Sequence, residues 1–152
     1  MRTHALYDAF TATHRRAMEL LEQADTIRGL AVMVREEITR TMDSADPARF
    51  TTTEHSSMTA SIRQVAGEME DTADLLIRIE DGRQAHSRVP YEYATDLLDM
   101  AESIRGIADI LDERTSLLSL RERCILMASI QYTAGRAINT CDGIIRREEG
   151  RE

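Results

Sequence analysis

Tryptophan and lysine are absent from this sequence, and aromatic residues make up only 4% of its 152 positions. The chain has just two prolines and seven glycines, too few for an all-β protein that turns about every ten residues. Because aromatic and β-branched side chains are enriched in strands, the shortage of aromatics argues further against a β core. The eight methionines favour flexible aliphatic packing between helices instead.

Long apolar runs and closely spaced cysteines are also missing. No run approaches the roughly 18–20 apolar residues that span a bilayer, and the N-terminus reaches an acid at Asp8 without a hydrophobic signal core. Cys124 and Cys141 fall in one predicted helix, about 25 Å apart, which is too far for an intramolecular disulfide. We therefore expect a soluble cytoplasmic protein that makes no membrane contact and whose cysteines are small buried thiols.

The composition is that of an acidic chain of about one domain's length. Hydrophobic residues make up 42% of the sequence, so a core is feasible. Acids outnumber bases by 27 to 19, every base is arginine, and the formal net charge is −8. Because neutralised phosphates provide most non-specific affinity for nucleic acids, direct nucleic-acid binding is disfavoured.

The sequence contains an internal duplication of two blocks in the same order. Residues 19–38 align with 96–115 at eight identical positions of twenty, and residues 60–83 align with 128–151 at twelve of twenty-four. The first pair is offset by 77 residues and the second by 68, so the first copy has nine extra residues between its two blocks, and this surplus falls at about 43–50. A duplication of this kind is typical of two copies of one supersecondary unit.

All four blocks have apolar residues spaced three and four apart, which predicts helices over 5–42, 52–81, 90–114 and 119–148. We call the row of residues that is predicted to face the core of each helix its seam. The predicted seam of the second helix includes Val65 and Thr72, and that of the fourth includes Thr133 and Thr140. Capping boxes at Thr51-x-x-Glu54 and Ser119-x-x-Glu122 mark two helix starts, Pro90 suits a first helical position, and Gly82 suits a C-terminal cap. Short turns make neighbouring helices antiparallel. We predict an all-α, antiparallel four-helix bundle, one domain over 1–152, built from two tandem helical hairpins over about 1–83 and 84–152.

The predicted first helix is longer than its counterpart in the second copy. At 38 residues it would extend about 57 Å, against about 37 Å for the third helix. Its N-terminal overhang carries Leu6, Tyr7 and Phe10, which is too much apolar surface to leave in water. These residues either bend back over the bundle end or form an oligomer contact in a homodimer.

Two arginines and four glycines recur at matched positions. Arg28 and Arg105 each follow an acid by three residues, so we expect an exposed ion pair, the alternative being an anion site between the two arginines. Gly29, Gly106, Gly67 and Gly135 interrupt helix interiors. They are either inherited from the duplication or leave room for a partner in a close-contact groove.

The histidines and cysteines give little support for catalysis. Neither Glu-x-x-His nor His-Glu-x-x-His occurs, and the cysteines are not at ligand spacing, so we predict no metal and no cofactor. His14 lacks the glycine that typically follows a phosphotransfer histidine. Arg49 and His55 form an R-x5-H arrangement that resembles the motif of the HEPN ribonucleases. That resemblance covers seven residues and implies His and Arg acting on an RNA 2′-hydroxyl and phosphate.

The acidic side chains suggest a surface for a partner, the alternative being a face that only confers solubility. The third predicted helix alone carries a net charge of −5, and the second adds further acids. Opposite potentials steer encounter, so these carboxylates are suited to a basic protein surface. The residues predicted for this surface are Glu68, Glu70, Asp71, Asp74, Asp96, Asp99, Glu102, Asp109 and Asp112.

Because no nucleophile–base pair or phosphate loop is evident, the leading hypothesis is a non-enzymatic protein-interaction module, an adaptor, regulator or inhibitor. A narrower version blocks a nucleic-acid-binding groove of its partner, as phage-encoded anti-defence proteins do. A small-molecule-binding helical bundle is the alternative, and a HEPN-like ribonuclease using Arg49 and His55 is a third class. Steep weakening of partner binding by salt would favour the first over an apolar ligand pocket.

Overall fold

The computed structural model describes residues 11–43, 52–83 and 86–150, which form four α-helices and no strand. The helices are α1 (Ala12–Asp43), α2 (Thr52–Arg83), α3 (Tyr91–Glu113) and α4 (Leu120–Glu148), and a short 3-10 helix (Thr115–Leu117) connects the last two. Helix α1 packs most extensively on α4, and α2 on α3, whereas α1 with α2 and α3 with α4 share smaller contacts. The predicted all-α, antiparallel four-helix bundle is confirmed, and its largest internal contacts join one hairpin to the other.

The core repeats with the sequence. Most apolar positions that are fully buried in one copy are matched by a buried apolar residue in the other. The exceptions are Ile38, which matches the half-buried Thr115, and Met127, which matches the buried Thr59. Alanine alternates with larger aliphatic residues, so the helices approach closely where the alanines lie and interlock where the larger side chains do. The matched buried pairs include Leu20 and Leu97, Ala24 and Ala101, Ile27 and Ile104, Ile62 and Ile130, Ala66 and Ala134, and Leu76 and Ile144.

The predicted seam is wrong by one position in parts of α2 and α4. Val65, Thr133 and Thr140 are only half-buried, whereas Ala66, Ala73, Ala134 and Cys141 are completely buried. Because α2 packs mainly on α3, and α4 on α1, these two helices turn their alanine-bearing sides toward the partner from the other hairpin.

Helix boundaries depend on local capping. Helix α1 begins at Ala12, seven residues later than predicted, because the Thr11 hydroxyl accepts the His14 amide N–H at 3.0 Å. Helix α2 continues to Arg83, so Gly82 lies inside its last turn and is not its cap. Pro90 precedes α3 with φ −58° and is not its first residue. The predicted box at Ser119 and Glu122 is confirmed by reciprocal 3.1 Å hydrogen bonds.

Several predicted features lie outside the described residues. They include Leu6, Tyr7 and Phe10, the proposed oligomer contacts, as well as Arg49 and Thr51. The oligomer contact therefore stays a prediction.

Candidate protein-interaction surfaces

Six of the nine predicted partner-binding acids lie on the α2–α3 side of the bundle. Asp71 and Asp74 are close to Glu70 along α2, and Glu102 and Asp109 of α3 contribute to the field at Glu70. We call this surface the acidic face. Its six carboxylates belong to Glu70, Asp71, Asp74, Glu102, Asp109 and Asp112.

Two arginines bridge the helices across the acidic face. Arg63 of α2 reaches Asp112 at 3.0 Å and Asp109 at 3.6 Å, both on α3. Arg105 of α3 reaches Glu70 of α2 at 2.6 Å. Arg105 therefore pairs across the helices and not with Glu102, although Arg28 does pair with Asp25, at 3.0 Å, as its spacing predicts. Arg78 of α2 also pairs with Asp74, at 3.1 Å, so the acidic face has six acids against three bases and keeps an excess of negative charge.

Glu70 is the carboxylate most affected by this crowding. Its side chain is only 12% exposed, and Oε1 is buried without a hydrogen-bond partner. Burial raises the pKa of Glu70, Arg105 opposes that shift, and the nearby carboxylates of Glu102, Asp71 and Asp109 raise the pKa again. A cation brought to this point would be attracted by the carboxylates that surround Glu70.

The other three predicted acids lie elsewhere. Asp96 and Asp99 line a groove of about 220 Å³ between α3 and α4, together with Arg136. Glu68 is one turn before Thr72, whose hydroxyl accepts a 3.1 Å hydrogen bond from Gln23 of α1, so Glu68 lies on the α1 side of α2. The nine acids therefore do not share one surface.

A groove of opposite character lies between α1 and α4. We call it the basic groove: its volume is about 470 Å³, and its lining contains three arginines and no acid among the described residues. Arg35 of α1 donates a 2.9 Å hydrogen bond across it to Gln131 of α4. The lining residues are Arg28, Arg35, Ala128, Gln131, Tyr132, Gly135, Arg136 and Asn139.

A buried polar cluster closes the end of the bundle where α2 and α4 finish. Arg83 ion-pairs with Glu148 and approaches Glu80 at 3.6 Å, and Thr13 donates a 3.0 Å hydrogen bond to Glu80. The Glu80 and Glu148 side chains are only 2% and 3% exposed. Sequence reasoning missed this cluster, although the two glutamates occupy matched positions of the repeat, which was the available signal.

The histidines and cysteines are mostly structural in their surroundings. His14 contacts Glu149 at 3.0 Å, and His55 is 7% exposed and lines a small cavity with Thr59, Thr115 and Arg123. Cys141 is buried, which raises its pKa to about 12, and Cys124 is half-buried. Within 11–43, 52–83 and 86–150, no group of three or more His, Cys, Asp or Glu side chains is arranged to hold a metal ion.

None of the helices in the described ranges has the length and apolar character needed to cross a membrane. The chain matches no protein-family model, and it matches neither a curated protein nor a solved structure.

Proposed function

We propose that this protein is a non-enzymatic interaction module that docks its acidic face onto a basic surface of another protein. The observation that carries the proposal is the convergence of carboxylates from two helices, where Arg63 and Arg105 join α2 to α3 through Asp109, Asp112 and Glu70. A surface held in this state gains interaction energy when a partner supplies arginine or lysine. We propose the cytoplasm as its location.

The surface grooves favour a protein partner over a small apolar ligand. Two surface grooves, of about 510 and 470 Å³, each have several charged side chains in their lining and are open along the surface. Ligand sites are usually concave and mostly apolar, with few polar groups. A partner whose basic surface normally binds nucleic acid fits the narrower form of the proposal, an inhibitor.

The test compares two variants with the same change in charge. The face variant carries Glu102→Gln, Asp109→Asn and Asp112→Asn, and the control variant carries Glu68→Gln, Asp96→Asn and Asp99→Asn. Each protein is used to capture partners from lysate of the native host at low and at high salt. We expect the same proteins to be retained by wild type and control, lost by the face variant, and released as salt screens the charges.

Equal retention by the face variant and the control would contradict the proposal. Retention that is insensitive to salt would favour an apolar site instead. For the inhibitor form, a captured partner should be displaced from this protein by added DNA or RNA, because both ligands would occupy one basic groove.

A further inference from the structure

The basic groove and the acidic face occupy equivalent places in the two halves of the duplication. Helices α1 and α4 correspond to α3 and α2, so the α1–α4 side is the repeat counterpart of the α2–α3 side. Some surface positions are unchanged, as at Arg28 and Arg105 and at Gly135 and Gly67. Others have lost or reversed charge: Val32 matches Asp109, Arg35 matches Asp112, Ile138 matches Glu70, and Asn139 matches Asp71.

Each of the two surfaces has a hydrogen bond that joins its two helices at matched positions, but the charges of the bonded groups differ. On the acidic face, Arg63 donates to Asp112 at 3.0 Å. At the matched positions, Gln131 accepts from Arg35 at 2.9 Å. The arginine of this contact thus lies on α2 in the acidic face and on α1 in the basic groove. In the basic groove its partner is a neutral amide and not a carboxylate.

Two guanidinium groups of the basic groove consequently form no ion pair among the described residues, although Asp96 and Asp99 line the neighbouring groove together with Arg136. Arg35 bonds to a neutral amide, and Arg136 makes no ion pair with any carboxylate in the described part of the chain. This is unexpected in a protein with 27 acids and 19 bases. Guanidinium groups bind carboxylates through paired, charge-assisted hydrogen bonds, so these arginines are suited to carboxylates from another molecule.

We propose that the basic groove of one copy receives the acidic face of a second copy, so that chains associate head to tail. Arg28 and Arg35 are seven residues apart on α1, about 10.5 Å along the helix, and Glu102 and Asp109 have the same spacing on α3. This equal spacing lets one carboxylate bond to Arg35 while the other joins the exposed Arg28, which keeps its own pair with Asp25 at 3.0 Å.

Shape and apolar contact agree with this arrangement. The basic groove is open over Ala128 and Gly135, and Tyr132 at its side is 70% exposed. On the acidic face, Arg63 and Arg105 extend across the space between the helices, and Ile110 is exposed beside Asp109. Tyr132, exposed beside the arginines of the basic groove, is available for apolar contact in addition to the ion pairs.

Contacts between two different surfaces have a further consequence for assembly. Each added copy leaves one basic groove and one acidic face unfilled, so association yields a ring or an open chain, in contrast to a two-fold dimer. The inference shares the acidic face with the proposed function and rests on it to that extent. An external partner on the acidic face would compete with self-association.

The test uses two full-length variants that each lose one surface. The groove variant carries Arg35→Glu and Arg136→Glu, and a reversed face variant, distinct from the neutral face variant above, carries Glu102→Arg and Asp109→Arg. Sedimentation velocity of the wild type should show assemblies that grow with concentration at about 0.01 M salt and dissociate at about 1 M, where the screening length is about 3 Å. Each variant alone should assemble at least about tenfold more weakly than wild type.

Mixing two variants gives the sharper result. The mixture pairs the reversed face variant with an Arg35→Gln and Arg136→Gln groove variant, because the acids of Arg35→Glu and Arg136→Glu would attract the reversed face. This neutral groove variant keeps its acidic face and the reversed face variant keeps its basic groove, so an equimolar mixture should form a 1:1 dimer that grows no further. A control with Glu22→Arg and Glu68→Arg, two exposed acids that belong to neither surface, should assemble as wild type does. The milder Arg35→Gln and Arg136→Gln pair serves if circular dichroism shows that the charge reversals disturb folding.

Several outcomes would overturn the inference. A wild type that stays monomeric at low salt would do so, as would blocked variants that assemble normally or fail to pair when mixed. If a monomeric wild type binds a single-stranded oligonucleotide, and only the groove variant loses that binding, the groove is assigned to a polyanion. In each case, the capture of host proteins through the acidic face is measured separately, so the proposed function stands or falls independently.

Discussion

At the scale of single residues, the matched glycines show that a repeated residue need not be a contact residue. Gly29 and Gly106 are exposed within helices, and a Cβ added at either would meet no atom within 4 Å. No contact inside the described bundle therefore requires glycine at these two positions. A glycine in a helix interior lowers stability by about 1 kcal/mol relative to alanine.

We expect Gly29→Ala and Gly106→Ala each to raise the free energy of unfolding by about 1 kcal/mol. Urea unfolding should show a higher midpoint with an unchanged slope. Gly150→Ala is the contrasting variant, because Gly150 has φ 74°, a conformation that side chains with a Cβ disfavour. A loss of stability on Gly29→Ala would mean that the glycine serves a contact beyond the bundle.

The buried cluster at Arg83 predicts a large effect from one charge. Arg83→Met leaves the Glu80 and Glu148 carboxylates without their cation, in a place where both are almost fully buried. Breaking such a pair costs about 3–5 kcal/mol. Arg78→Met, on the same helix, removes an exposed pair with Asp74 and should change stability by about 0–1 kcal/mol. Thermal or urea unfolding of the two variants gives the comparison, and equal effects would contradict it.

Glu70 predicts a distinct dependence of stability on pH. Its pKa is raised in the folded protein, so the folded state binds the proton more tightly than the unfolded chain does. Stability should therefore fall as the pH rises from the ordinary value near 4.5 through the raised pKa, the reverse of a salt-bridged acid.

Removing the opposing cation sharpens this test. Because Arg105 lowers the pKa of Glu70, Arg105→Gln should raise that pKa further and extend the interval over which stability falls. Carboxyl NMR titration of Glu70 measures the first effect and unfolding at several pH values the second. Asp99→Asn provides a control away from the cluster, and a Glu70 titration at or below its ordinary value would refute the account.

At the scale of helices, periodicity predicted which segments are helical, and local capping decided where they begin and end. The three-and-four spacing identifies each helix, because it records the side that faces the core. It did not locate the start of α1 at Ala12, which depends on one hydroxyl of Thr11, nor the burial of Ala66 in place of Val65. That burial depends on which neighbour α2 packs against, and the sequence of α2 alone does not contain this information.

The candidate surfaces, like the helices, were predicted from the sequence only in part. The carboxylates were recognisable from composition, but their partition among three surfaces depends on the rotation of α2 and α3 about their axes. The basic groove was not predicted, because its arginines come from helices that are far apart in sequence. The matched Arg28 and Arg105 were recognisable in the sequence. Because both surfaces carry an arginine at this position, the match did not indicate that the surfaces differ in charge.

The box at the start of α4 gives a prediction for one element. Ser119→Ala removes the acceptor for the Glu122 amide and should lower the free energy of unfolding by about 1 kcal/mol. Ser129→Ala, at an exposed site inside the same helix, should have a small effect, because alanine is a good helix former. Unfolding curves for both variants decide the point, and a neutral Ser119→Ala would show that α4 does not depend on this cap.

At the scale of the whole molecule, the charges that distinguish the two copies also specify how they pair. The largest contacts join α1 to α4 and α2 to α3, so each hairpin completes its core with the other. Two first copies packed together would bring Arg35 against Arg63, because these residues take the matched places of one contact. Two second copies would bring Asp112 against Gln131 and lose the ion pair with Arg63.

Fragments of residues 1–83 and 84–152 should therefore be poorly structured alone and form a 1:1 complex when mixed. Circular dichroism should show helix gained on mixing, and sedimentation should show one complex of each fragment. Arg63→Asp in the first fragment should weaken that complex by repulsion from Asp109 and Asp112. It should also let the first fragment self-associate, since Arg35 would then meet an acid. If the first fragment pairs with itself as readily as with the second before this change, charge does not set the pairing of the hairpins.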